Sequence, residues 1–204
     1  GYEQIKSWLN SKLADRLSNV DASKIEPPPL HIAGPVIMKM AFAKDVEYLK
    51  ELYASLLATS MLDGTVHLAH PSFAHAIEQL SPDEANILAQ IWKFLVKNDN
   101  FELSFTYSEY YDPHEMSVEK QFSQLVMDAG AEFPDQSDSY MDNLIRLRLL
   151  EFNRHSAVEH RSIGELQYTH PSESVVSQST FESLALSAYG KQFVLCCCVG
   201  SGDT

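Results

Sequence analysis

Asp63, His67, His70 and His75 fall within thirteen residues. Imidazoles with a carboxylate and open water positions are the donor set of a hydrolytic metal site, which would make this chain a metal-dependent hydrolase. The spacing works against that reading. His70 and His75 are five residues apart with Pro71 between them, so they do not share a helix face as an i, i+4 pair would. His67 and His70 can approach in a loop, yet two ligands are too few for such a centre. A His70 ring that caps the following helix, or satisfies a buried carbonyl, is the plainer expectation. His155, His160 and His170 lie in a polar loop after Leu150 that could respond to pH or metal, but its default is a solvated wing.

Nucleophilic chemistry has less to stand on. No serine or cysteine sits in a nucleophile elbow, no Gly-rich phosphate loop or GxGxxG is present, and no nucleophile stands beside a base. Cys196-Cys197-Cys198 offers neighbours that do not readily pair, an odd count, and no CxxC spacer for a metal. The run reads as a buried helix or strand terminus in a reducing, cytoplasmic setting. Glu47 with Glu51 supplies a carboxylate pair, as a solvated helix face also does. No cofactor is implied.

The elements around these residues are mostly helical. Ile5, Trp8, Leu9, Leu13 and Leu17 put one apolar face on a helix from Tyr2 to Leu17, which needs a partner within the fold or a second copy of the chain. Pro27-Pro28-Pro29 stiffens the connection to Leu30 to Phe42, a short buried helix opened by Pro35. Asp45 is the expected cap of a helix whose stripe runs from Tyr48 to Met61, and Pro71 to Leu80 resumes a helix. Ser81-Pro82-Asp83-Glu84 is the best local signal: a serine cap, proline at the first helical position, and Glu84 placed to reach back.

After Asn98-Asp99-Asn100, alternation over Phe101 to Tyr107 predicts a strand. Helices follow near Ser117 to Ala129 and Asp138 to Leu150, then a polar stretch to Thr180, a strand from Phe181 to Leu186, and a terminal helix capped by Ser187. Helix, strand, helix, helix and a hairpin is the winged-helix order. The expected fold is therefore mainly α with a small β-wing. A helical N-terminal half, residues 1–80, packs on a winged-helix-like half, residues 81–204, as two regions or one compact domain.

Charge bears on partners. The chain carries −13, and residues 99–142 hold eleven acids against Lys120. Phosphate polyanions are repelled there, and a basic protein surface is attracted. A nucleic-acid reading would use Asn143, Arg146 and Arg148 on the third helix of the winged-helix order, with Arg154 and Arg161 along the backbone; charge opposes it. No apolar run reaches the roughly 18 residues of a membrane span, so no membrane partner is expected of this stretch. Gly1 to Lys6 reads as the inside of a helix, so a longer parent chain is expected.

Several motifs together resemble the Abi-alpha (abortive infection alpha) family, a bacterial family long held as a domain of unknown function. They are Glu26-Pro27-Pro28, Gly34-Pro35, the run Leu49 to Thr59, His70-Pro71-Ser72-Phe73, Gln79 to Ala85, Asn143 to Leu147, and Leu186-Ser187 with Gly190-Lys191-Gln192-Phe193. Two departures stand out: Ser55 in place of asparagine, and Arg148 in place of the glycine that lets the chain leave a helix. The resemblance implies phage defence as a setting and no particular reaction. The expectation is a non-enzymatic sensor or interaction module binding a phage or host protein through His70, Pro71, Phe73, Tyr53, Glu47, Glu51 and the acidic face. A nucleic-acid-binding regulator is the alternative.

Overall fold

Serine caps begin three of the helices and set the frame of the second half of the chain. The computed structural model describes residues 2–43, 46–99, 101–107, 117–161 and 175–198. At α5 (Pro82–Asn98), Ser81 Oγ accepts the Glu84 amide at 3.2 Å, and the Glu84 carboxylate accepts the Ser81 amide at 2.6 Å. This reciprocal box satisfies two amides that a helix start leaves without partners. Ser117 caps α6 (Val118–Asp128) by accepting from Lys120, and Ser187 caps α8 (Ala188–Cys197) by accepting from Gly190.

Between these helices lie β1 (Glu102–Tyr107), α7 (Ser137–Arg146), β2 (Leu150–Arg161) and β3 (Val175–Leu186). The strands form one antiparallel sheet in the order β1-β3-β2. Leu184 pairs with Leu103 on one side and Phe152 on the other, an apolar row at the end of the sheet nearest the core.

The first half supplies α1 (Tyr2–Leu17), α2 (Leu30–Met40), α3 (Glu47–Ser60) and α4 (Phe73–Glu78). α3 is central: it packs against α1, α2, α4, α5 and α8, and every residue from Leu52 to Ala58 is buried. One apolar cluster joins Val36, Leu56 and Ile77 to Ile87, Leu144, Leu184 and Phe193. Residues on both sides of the expected 80/81 division thus share a core. The molecule is mainly helical with a small three-stranded antiparallel sheet.

Four expectations need correction. Pro35 lies inside α2 rather than at its first turn; the helix starts five residues earlier, after Pro29, whose carbonyl accepts the Ile32 and Ala33 amides at 2.9 Å. The helix expected from Pro71 to Leu80 is shorter, because His70 to Ser72 form its entry turn. The polar stretch after Leu150 is not a loop as far as described: β2 continues to Arg161 and β3 begins at Val175, so His155 and His160 are on a strand. The helix expected from Asp138 to Leu150 ends at Arg146. Asp45 and His170 lie outside the described residues.

The end of α7 shows why it was overrun. Arg148 donates to Ile145 O at 2.8 Å and Leu149 to Leu144 O at 2.9 Å, the paired closure of a Schellman motif, with Leu149 packed beside Leu144 in the core. That closure needs a left-handed residue, and Arg148 adopts φ 60°. Glycine does so without the Cβ conflict. Arg148→Gly should therefore stabilise the fold by about 0.5–1 kcal/mol, after the extra unfolded-state entropy of glycine is deducted. A rise of about 1–4 °C in thermal midpoint is the expected reading, and a fall would refute the strain argument.

Candidate functional site

Two hydrogen-bonded clasps account for most of the motif residues. The first joins His70-Pro71-Ser72-Phe73 to α8. Ser72 Oγ lies 2.6 Å from His70 Nδ1 and 2.7 Å from the Tyr189 hydroxyl, while the Ser72 amide donates to the same Nδ1 at 3.2 Å. Nδ1 therefore offers a lone pair, Ser72 donates its hydroxyl proton to it, and Tyr189 donates to Ser72. Burial raises the Tyr189 phenol, the opposing Ser72 bond being the lesser effect, so Tyr189 stays a donor. Phe73 packs edge-on against Tyr189 and Phe193, and Gln192 Nε2 donates to Leu68 O at 3.0 Å.

This corrects the expectation that no nucleophile stands beside a base, since a serine hydroxyl on an imidazole lone pair is that pairing. Its surroundings are those of a turn. The Ser72 hydroxyl is also held by Tyr189, and no carboxylate orients the far nitrogen of His70 among the described residues. The pair orders the start of α4 and fixes it to α8.

The second clasp joins Gln79 to Ala85 with α7. Asn143 Nδ2 donates to Glu84 Oε1 at 2.7 Å and to Gln79 O at 3.1 Å; Arg146 donates to Gln79 Oε1 at 3.0 Å and to Asn143 Oδ1. Asp83 is buried and accepts from the Glu132 amide at 2.9 Å, the Phe133 amide at 3.1 Å and the Tyr140 hydroxyl at 2.6 Å. Burial alone would raise this carboxyl, but the three donors outweigh it and hold the group below its usual range. Sequence reasoning missed Asp83, whose donors lie 49 to 57 positions away and leave no local signal.

Between them these contacts consume most of the expected interaction residues. Tyr53 and Phe73 are 1% and 0% exposed and belong to the core, with the Tyr53 hydroxyl on Ala74 O. Glu51 binds Lys12 and Arg16 of α1, and Glu47 binds Lys50 and the Trp8 indole, so both carboxylates hold α1 onto α3. His70 stays exposed and Pro71 half-exposed.

The metal candidates are not gathered. Asp63 is exposed in a turn and His67 in the short 3-10 helix Val66–Leu68, His75 points off α4 with Nδ1 3.9 Å from Glu78, and no group of three possible ligands occurs among the described residues. Cys196 and Cys197 are buried in the last turn of α8; burial pushes the Cys198 thiol up to about 12 and Cys197 well above its usual value, so both stay protonated.

The arginines of the nucleic-acid reading are also dispersed. Arg146 is tied to Gln79, Arg148 is the exposed left-handed residue after α7, and Arg154 pairs with Glu182 across the hairpin at 2.5 Å. Arg161 closes β2 opposite Val175. In contrast, Asp128, Glu132, Asp135, Asp138 and Asp142 are all exposed, from the end of α6 through the turn Pro134–Gln136 onto α7. No lysine or arginine occurs in residues 121–145 to offset them. Among the described residues no helix is long and apolar enough to cross a membrane.

No curated protein and no solved structure matches this chain. The family model described as Abortive infection alpha matches residues 1–197 of the 204, and the chain belongs to that family.

Proposed function

We propose that this chain is a phage-defence protein that acts by binding another macromolecule rather than by catalysis, and that its binding surface is the acidic face of α6 and α7. The family supplies the setting of abortive infection. The observation that carries the binding reading is the uninterrupted acid set from Asp128 to Asp142, exposed on one helix–turn–helix with no cation among residues 121–145. The partner it fits is a protein with a basic surface, from phage or host.

The second half is read as a winged-helix-like unit, supported by the order α5-β1-α6-α7-β2-β3 and the strand order β1-β3-β2. In that arrangement α7 is the helix a DNA-binding relative would lay in the major groove. Here its outward side carries Asp138 and Asp142, which phosphates repel. Reuse of the fold for protein contact fits the charge better than nucleic-acid regulation.

The test is a pull-down of the tagged protein from infected and uninfected cells, with protein and nucleic acid both identified, followed by titration of the purified partner. A basic protein should be recovered whose affinity falls with salt and drops at least about tenfold with Asp138→Lys plus Asp142→Lys, as for a charge-steered interface. Both positions are exposed, so folding should be retained. Recovery of nucleic acid that is lost with Arg148→Glu and kept by the lysine variant would replace this reading with the winged-helix regulator.

A further inference from the structure

The outward side of α2 is apolar and uncovered. At 3.6 residues per turn, with the count continued into the turn at Ala41 and Phe42 that closes α2, Ile37, Leu30, Ala41, Gly34, Met38, His31 and Phe42 follow one another around an arc of about 140°. All seven are exposed, while Ile32, Ala33, Val36 and Met40 on the other side are buried. Leu30 and Phe42 are each 87% exposed, Met38 70% and Ile37 42%. The arc bears no acid, lysine or arginine.

We propose that this arc is the seat of a second copy of the chain, packed helix on helix about a twofold axis near Ile37 and Met38. Area supports it. At roughly 200 Å² for a fully exposed large apolar residue, the four large side chains present about 500–600 Å², so two copies bury about 1,000–1,200 Å², enough for a specific though modest interface. Shape supports it as well: Gly34 and Ala41 lie in the middle of the arc between large side chains, and a two-fold antiparallel pairing sets each small residue against the other.

Charge separates this occupant from a lipid surface. Residues 1–60 hold seven acids and seven bases, so this part of the chain does not repel its own copy, while the acids responsible for the net −13 lie further along. An interfacial membrane helix carries lysine and arginine beside its apolar face, and the one such cation of α2, Lys39, is paired with Glu78 of α4.

Sedimentation velocity of the wild-type chain from about 1 to about 200 µM, where an interface of this size titrates, should show monomer converting to dimer. Met38→Glu and Phe42→Glu should each raise the dissociation constant at least about tenfold with an unchanged circular dichroism spectrum, because a charge is placed in an apolar contact. Met38→Cys should give a covalent dimer on air oxidation. Asp138→Lys plus Asp142→Lys should leave the dimer unaffected, which separates this surface from the acidic one. A wild-type monomer over the whole range, or flotation with anionic vesicles that Phe42→Glu abolishes, would overturn the proposal.

Discussion

Gly190→Ala should leave the chain without a cooperative fold. A Cβ built on Gly190 falls 1.8 Å from the carbonyl oxygen of Leu149, 2.7 Å from its carbon and 3.0 Å from its Cα. All three are backbone atoms, so no rotamer change relieves the contact. Neither side is free to retreat. Leu149 is held by the closure of α7 onto Leu144, by the Ser187 amide at 3.2 Å, and by β2, which begins at the next residue. α8 is held by Ser187, which accepts the Gly190 amide and donates to Arg148 O, and by Phe193 and Val194, both fully buried. Relief would require α8 to move off α7 and β2 by more than an ångström, opening the core shared by the two halves.

Overpacking a tight core costs about 1–3 kcal/mol when side chains can adjust; an immovable backbone clash belongs with the exceptional cases above about 4 kcal/mol. The expected result is little soluble protein, or a thermal midpoint at least about 8–15 °C lower. Gly64→Ala is the control, since an added Cβ there meets nothing within 4 Å and should change stability by less than about 1 kcal/mol. A Gly190→Ala protein that melts within a few degrees of wild type would refute this close approach of α8 to Leu149.

The same junction shows what could be read from the chain beforehand. Ser81 and Ser187 were legible because a cap and its amide lie three residues apart, and local chemistry decides them. The end of α7 was not, because Leu149 and Leu150 prolong the apolar spacing and the residue that breaks the helix is an arginine held at positive φ, where a glycine would have announced the stop. The outer parts of β2 and β3 escaped because apolar alternation fades beyond Phe152, while strand pairing continues to Arg161 and Val175. For the candidate sites the obstacle was burial. Tyr53 and Phe73 looked available as parts of recognisable motifs, yet only the fold reveals that helices cover them. The acid excess, a property of composition, was visible from the start.

Asp83→Asn should cost about 2–4 kcal/mol near neutral pH, a fall of about 4–15 °C in thermal midpoint, and the loss should shrink as the solution is acidified. A carboxylate accepts at both oxygens and here serves three donors: the Glu132 and Phe133 amides and the Tyr140 hydroxyl. An amide of the same shape accepts at one end only and turns a second donor against one of these groups. The pH dependence follows from the direction of the carboxyl shift. Asp83 is held below its ordinary value in the folded chain, so its contribution is fully present above the unfolded value near 4 and disappears as pH falls through the lower folded value. Tyr140 is shifted the other way, by burial first and then by Asp83, so it remains a donor across the same range. Denaturant titrations at intervals from pH 7 to pH 3 should show the wild-type and Asp83→Asn curves converging below about pH 4. A gap that stays constant would mean that the lost stability is packing rather than charge. The consequence reaches the surface, because the two amides that Asp83 holds belong to the segment from Asp128 to Asp142. Releasing them frees the turn that sets Glu132 and Asp135 relative to α7. If the acidic face is the binding surface proposed above, the Asp83→Asn protein should then bind its basic partner more weakly even under conditions where it is fully folded, although Asp83 itself is buried.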